Sequence, residues 1–370
     1  MRKRILILIK SLDHGGAEQL LVNRMPLVDT QRYEYEVAYL LPSANALVPA
    51  LEQTGVPVTC LDGGRGVGWV GQLRRMVRER PIDLVHVHSP YVAVGTRLGL
   101  SSRDDPPIVY TEHNVWQAYH PLTRWGNALT FPRNDHVFAV SEHVRASIRY
   151  PMPLRFRRLP PVESLYEGID AVAILEAGRP DGVREELGIG PDQLVVGCVA
   201  NFRAQKGHRY LLQAMAQVRR GIPDVRLVLV GMGPLEQEVR RLARELELDS
   251  TVVFAGARDD VPRVASIFDV FAMSSVQEGL SIAVLEALAL GKPAVVTRVG
   301  GLTEVVEDGK QGLSVPPADP EAMANAICAL LGEPELRARM GAAALRRASH
   351  FGNQESVRRV EEVYEELLQR

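Results

Sequence analysis

The stretch Gln277–Thr297, QEGLSIAVLEALALGKPAVVT, sets two carboxylates around an apolar run. Ile282, Ala283, Val284, Leu285, Ala287, Leu288, Ala289 and Leu290 leave a helix there almost no polar face, and Glu286 sits among them. An ionised carboxylate in apolar surroundings is costly unless it is paired. Two answers are open. One is a structural partner, such as an Arg or a backbone N–H. The other is a sugar, because a carboxylate accepts two hydrogen bonds from a vicinal diol. Glu278 stands before the helix. Between the two acids, Gly279, Leu280 and Ser281 bring backbone N–H groups to the positive end of a helix dipole, which suits a phosphate. Ser281 is expected to cap the helix.

Other reactive residue types also follow strand-like runs. In VANFRAQKGHRYLLQA, Arg203 and Lys206 lie in a loop that leads into a helix. Two cations there would neutralise a departing diphosphate, or they form a solvated basic loop. In SLDHGGAEQLLVN, Gly15 and Gly16 open a helix, either to let backbone approach a ligand or as a plain tight turn. No G-x-G-x-x-G is formed. His86 and His88 alternate along a strand and share one face, but the sequence offers no third ligand for a metal. His113, after VYTE, is either a core histidine or a cleft residue, and Glu112 beside it should point elsewhere. Asp259 and Asp260 are read as the start of a short helix rather than as metal ligands.

The elements that must position these residues alternate. RILILI, EVAYLL, VPVTCL, DLVHVHS, PIVYTEH and HVFAVS are strand candidates in the first half. LVVGCVA, VRLVLVG, TVVFAGA, VFAMSS and PAVVTRV are those of the second. Near-continuous apolar strands separated by helical patterns predict an α/β fold with parallel sheets covered on both faces. The pattern restarts once, across a Pro- and Gly-rich stretch between Tyr150 and Gln193 in which no strand–helix alternation is read. This predicts an N-terminal domain over 1–168, a C-terminal domain over 169–352, and a helix over 353–370 that packs back on the N-terminal domain. Ligands of such sheets bind beyond the carboxyl ends of the strands, so two such domains facing each other would make a cleft.

Composition is that of a globular protein, with 46% hydrophobic and 24% charged residues, and the net charge of −2 gives no reason to expect nucleic acid. Charge is uneven: residues 1–168 carry a balance of +4 and the rest −6, a difference that ordinary scatter also explains. Cys60, Cys198 and Cys328 form neither a metal spacing nor a disulfide framework, which fits a reducing cytoplasm. No run is long enough to cross a membrane. Arg145, Arg149, Arg155, Arg157 and Arg158, set among apolar residues, are a candidate contact with anionic head groups at the inner face of a membrane, or a solvated face.

The spacing of Glu278 and Glu286, with seven residues between them, a GLS filling and a following GKP turn, resembles the E-x7-E signature of retaining GT-B glycosyltransferases, in particular family 4. TRVGGLTEVVEDGKQGLSVPPADPEAMANAI is similar to that family's continuation, and the likeness runs along essentially the whole chain. The resemblance implies two Rossmann-like doubly wound domains facing across a cleft. It implies that Glu278 contacts the donor sugar, that Gly279, Leu280 and Ser281 hold the pyrophosphate, and that Glu286 binds the ribose. It places Arg258 near the base, Gly15 and Gly16 near the diphosphate, and His113 on the donor sugar. The family has an Arg five residues before its Lys, where this chain has Asn201, so Arg203 is expected to supply the charge beside Lys206. Glu278, Lys206, Arg203 and His113 are thus the expected catalytic residues. No metal and no cofactor are implied. The substrates would be a nucleotide-sugar, UDP first, and a glycan, lipid-linked or small-molecule acceptor. A sugar-nucleotide 2-epimerase and a non-catalytic sugar-nucleotide or glycan-binding protein of the same fold are the alternatives.

Overall fold

The computed structural model describes residues 2–13, 15–61, 66–150 and 159–370. The chain forms two compact units: residues 1–168 with 353–370, and residues 169–352.

The first unit is built on a seven-stranded parallel sheet. Its strands are β1 (Lys3–Ile9), β2 (Tyr33–Tyr39), β3 (Val58–Cys60), β4 (Leu84–His88), β5 (Ile108–Glu112), β6 (His136–Ala139) and β7 (Val162–Ser164). They lie in the order β3-β2-β1-β4-β5-β6-β7. Ile5, Leu6, Ile7 and Leu8 of β1 are all fully buried, because helices cover both faces of a central parallel strand. The C-terminal helix, Asn353–Leu368, belongs to this unit. Its Val357, Val360, Val363, Tyr364 and Leu367 pack with Ile5, Tyr33, Tyr35 and Phe138. Tyr35 donates to Glu361 Oε1 at 2.8 Å, and Arg359 pairs with Glu163 of β7.

The second unit has six parallel strands: β8 (Val195–Val199), β9 (Arg226–Val230), β10 (Val252–Gly256), β11 (Val270–Met273), β12 (Ala294–Thr297) and β13 (Gly312–Val315), ordered β10-β9-β8-β11-β12-β13. The strand order reverses at β1/β4 in one unit and at β8/β11 in the other. A doubly wound sheet opens a crevice at that reversal, beyond the strand ends.

Two strands depart from the sequence reading. β7 lies inside the stretch read as irregular, and so does the helix Ala171–Ala177; β13 is a four-residue strand that apolar patterning does not mark. Both strands are short sheet edges with half-exposed residues, so neither carries a continuous apolar run. Among the described residues no helix is long and apolar enough to cross a membrane. Of the basic segment proposed to meet lipid, Arg145 is exposed and pairs with Glu142 at 2.7 Å. Arg149 is exposed, and Arg155, Arg157 and Arg158 lie outside the described residues.

Candidate functional site

The β8/β11 reversal brings together residues 72 positions apart. After β8 the chain runs through Asn201, Phe202 and Arg203 into a short turn, Ala204–Lys206, and then the helix His208–Gly221. After β11 it runs through Ser274–Ser281 into the helix Ile282–Ala289. The two loops lock onto each other. Val276 N–H donates to Gln205 O at 2.8 Å, and the Ser274 hydroxyl donates to the carbonyls of Lys206 and Gly207. Gly207 has φ 64, and a Cβ there would stand 2.1 Å from Ser274 O, so only glycine allows this approach.

Across the lock, Lys206 Nζ donates to Glu278 Oε2 at 2.6 Å, with both side chains largely buried. Ser275 Oγ donates to the same oxygen at 3.0 Å. The sequence reading placed Lys206 and Glu278 in one site without foreseeing that each neutralises the other, and it missed Ser275. The turn after β12 fixes Glu278 from behind. Gly301 N–H donates to Gly279 O at 2.9 Å, and a Cβ on Gly300 would lie 1.8 Å from Glu278 O.

Glu286 lies one turn into its helix and is half-buried. No hydrogen-bond or ion-pair partner meets its carboxylate among the described residues, so the structural-partner answer fails within them. Burial pushes its pKa up to about 7. A carboxylate that is neither paired nor sealed off is a hydrogen-bond acceptor awaiting donors.

Three expectations need correction. Ser281 occupies the N-cap position, but its hydroxyl makes no capping bond; the entering chain is held instead by the Gly301–Gly279 bond. The helix begins at Ile282, so its first free N–H groups are those of Ile282 to Val284, with Gly279 to Ser281 forming the loop that leads in. Arg258 does not present a free guanidinium. It donates to both oxygens of Asp260, at 2.7 and 2.8 Å, and pairs with Glu186. That pairing holds Asp260 down to about 2. Asp260 still precedes the short helix Val261–Ala265, as expected, but its carboxylate serves Arg258 and Arg263 and not the helix cap. Arg203 is exposed and makes no ion pair among the described residues, and Asn201 is half-buried beside it.

The first unit has its own reversal, where the loops after β1 and β4 emerge. Gly15 and Gly16 start the helix Gly16–Arg24, yet Glu18 folds back over Gly15, close enough to touch a Cβ there at 2.2 Å, and accepts from Ser11 Oγ at 2.9 Å. The chain's own carboxylate therefore lies at this helix start. His86 and His88 stack at 4.5 Å on one face, as their spacing requires. His86 is held by Tyr364 and, at 2.7 Å, by Thr111. His88 Nδ1 meets His113 Nε2 at 2.9 Å, and His113 Nδ1 lies 3.6 Å from Glu167. Ligand atoms of His88, His113 and Glu167 all fall within 4.8 Å of one another, a set able to hold a metal ion. The sequence reading found no third ligand because Glu167 follows β7, the strand it missed. Burial lowers the His88 and His86 pKa values well below the usual imidazole range. Glu112 points the other way, into a buried cluster with Tyr110, Trp116 and Tyr119.

Two family models divide the chain between them: Glycosyltransferase Family 4 matches residues 15–171, and Glycosyl transferases group 1 matches residues 181–347. The chain belongs to the family 4 type of GT-B glycosyltransferases. This glycosyltransferase is 28% identical over 307 residues to the putative glycosyltransferase EpsD of Bacillus subtilis, a match covering 79% of each chain. It is 37% identical over 194 residues to a GDP-mannose-dependent alpha-(1-6)-phosphatidylinositol monomannoside mannosyltransferase of Mycolicibacterium smegmatis, covering 49% of this chain and 50% of that one. The fold of Anabaena HepE, solved with UDP and glucose, superposes with a TM-score of 0.86 at 23% identity over 99% of this chain and 100% of the other. The enzyme's two sheets and their reversals are thus those of a two-domain GT-B fold, and the loops at the β8/β11 reversal lie within the group 1 match.

Proposed function

We propose that this glycosyltransferase moves a sugar from a UDP-sugar to a hydroxyl of a glycan, lipid-linked or small-molecule acceptor, with retention of anomeric configuration and without a metal ion. The observation that carries the reading is the meeting of Lys206 and Glu278 at the β8/β11 reversal, with the unpartnered Glu286 one helical turn beyond. Lys206 would leave Glu278 for the diphosphate, freeing that carboxylate to accept from hydroxyls of the sugar. Arg203 would add a second cation in place of the family Arg, with Asn201 as a neutral donor. The N–H groups from Gly279 to the helix start would complete the anion site. Glu286 would accept from the ribose diol. In the N-terminal unit, His113 would be available to a sugar hydroxyl once it leaves His88. Arg258 would serve through its backbone, and Gly15 and Gly16 through close approach once Glu18 moves.

In the reaction the bond from the sugar C1 to the phosphate oxygen breaks, its electron pair staying with the diphosphate. The acceptor oxygen bonds to C1 on the same face, and the departing phosphate takes the acceptor proton. Catalysis is then positioning and neutralisation of the leaving group. UDP is favoured by the nucleotide bound to the similar HepE structure, and GDP by the name of the Mycolicibacterium relative. A thermal-shift screen of UDP-, GDP- and ADP-sugars, with and without EDTA, tests the reading. A UDP-sugar should raise the melting temperature regardless of chelator. Stabilisation by GDP-sugars alone would replace the base, and loss with EDTA would overturn the metal-free reading.

A lipid-linked acceptor would bring the enzyme to a bilayer. Support for that contact comes from the helix Pro121–Thr130. It exposes Leu122, Trp125 and Leu129, at 78%, 56% and 59%, along one face, with Arg124 and Arg133 nearby. Such a face suits the head-group boundary.

A further inference from the structure

Beyond the carboxyl ends of β4, β5 and β7 three polar side chains meet. His88 ends β4, His113 follows β5 and Glu167 follows β7. His88 Nδ1 and His113 Nε2 are 2.9 Å apart, and His113 Nδ1 lies 3.6 Å from Glu167 Oε2. Little water reaches them: His88 is 3% exposed, and the side chains of His113 and Glu167 are 17% and 12% exposed. Among the described residues His88 Nε2 and Glu167 Oε2 are buried and form no hydrogen bond.

Two neutral imidazoles share a hydrogen bond only if one of the facing nitrogens carries a proton and the other is bare. Two arrangements satisfy that. In the first, His88 Nδ1–H donates to a bare His113 Nε2, and the His113 proton sits on Nδ1, facing the Glu167 carboxylate. In the second, His113 Nε2–H donates to His88 Nδ1, and a bare His113 Nδ1 turns its lone pair on that carboxylate. His88 Nε2 is unanswered in both, so it does not decide. Glu167 does. An N–H dipole aimed at a carboxylate is attractive and a lone pair aimed at it is repulsive, in surroundings where little water screens either. Burial holds the His88 pKa well below the usual imidazole range, so His88 does not escape the choice by keeping both protons. Charging His113 instead would send the His88 proton to Nε2, a buried N–H with no acceptor.

We propose that Glu167 is a positioning residue that fixes His113 in the Nδ1–H tautomer, so that His113 Nε2 accepts a hydrogen bond and cannot give one. On the reading that His113 meets the donor sugar, on which this rests, the sugar group in front of Nε2 must carry a hydrogen. A hydroxyl does. A fluorine or a keto oxygen in its place would set one lone pair against another. Glu167 thereby selects donor sugars without touching them.

Nitrogen NMR of the full chain with isotope-labelled histidine reads the tautomer, and His113→Gln assigns the signal by its disappearance. The wild type should carry the His113 proton on Nδ1. Glu167→Gln should lower the Nδ1–H fraction. Glu167→Asp, which keeps the charge one methylene further back, should give an intermediate fraction, and it serves alone if the Gln variant does not fold. A proton on Nε2 in the wild type, or a tautomer that neither variant changes, overturns the proposal. Calorimetry with UDP, UDP-glucose and the monodeoxyfluoro UDP-glucoses reads the consequence. One fluoro analogue should bind the wild type about tenfold more weakly than UDP-glucose, the worth of one hydrogen bond. That penalty should shrink in Glu167→Gln and vanish in His113→Gln, with UDP bound equally by all three proteins. If no penalty depends on His113 while the spectrum shows the Nδ1–H form, the donor reading of His113 fails and the tautomer assignment stands. If a penalty depends on His113 and not on Glu167, the positioning role fails and the donor reading stands.

Discussion

Glu286→Gln removes a titration that the fold imposes. Burial in the Ile282–Ala289 helix raises this carboxyl from the ordinary 4.5 to about 7. The folded-state value lies above the unfolded one, so the group's contribution to stability is fully present below about 4.5 and is lost as pH rises through about 7. That displacement corresponds to about 3 kcal/mol at full ionisation. Glu286 is only half-buried, so solvent screening reduces the expected figure to about 1–2 kcal/mol. Urea denaturation at pH 5 and pH 8 should show the wild type losing this much relative to the Gln variant. Binding carries the same signature with the opposite sign. Ribose hydroxyls donate to the ionised carboxylate, so a bound UDP-sugar pulls the pKa back down and releases a proton. Donor affinity should rise about tenfold between pH 6 and pH 8 in the wild type and stay flat in Glu286→Gln. A stability difference that does not change with pH, or a variant that keeps the wild-type binding profile, would refute the reasoning.

The remaining predictions concern the same site and one surface. Lys206→Ala and Glu278→Gln should each lower kcat/KM at least 100-fold. The double variant should lose much less than the product of the two, because the residues share one hydrogen bond; additive losses in steady-state kinetics would place them in separate roles. Gly300→Ala puts a Cβ at 1.8 Å from Glu278 O at a φ of 53, so it should lower thermal stability and donor turnover together. Unchanged kinetics would show that the turn does not hold Glu278. Leu122→Gln with Trp125→Ser should abolish flotation with anionic liposomes while leaving turnover of a water-soluble acceptor intact. Flotation that survives the change would remove this face from membrane contact.

The sheets were legible wherever strands are central, because burial on both faces forces unbroken apolar runs such as Ile5–Ile9. β7 and β13 escaped because an edge strand needs neither length nor apolarity. Glu278 and Glu286 were legible as a local pattern, an acid on each side of a helix start. Their relation to Lys206 was not, since it depends on β8 lying next to β11, and sequence order carries no strand order. The pairing of the Arg258 guanidinium was legible only in half: Asp260 stands two residues on, but Glu186 comes from a distant short helix. Spacing put His86 and His88 on one face correctly, yet only the fold shows that His88 turns to His113 and Glu167 while His86 turns to Tyr364.

The C-terminal helix makes the chain's order of synthesis differ from its order of completion. Residues 1–168 emerge before residues 169–352, but Val357, Val360, Val363 and Tyr364, which close the core of the first unit against β1 and β2, emerge only after them. Residues 169–352 are contiguous and hold a complete sheet of their own, so on a translating ribosome they can close while the first unit still waits with an open apolar face. A nonsense mutation between residues 169 and 353 would therefore damage a unit most of which is already made. The loss would show as aggregation of the N-terminal unit rather than as a missing tail.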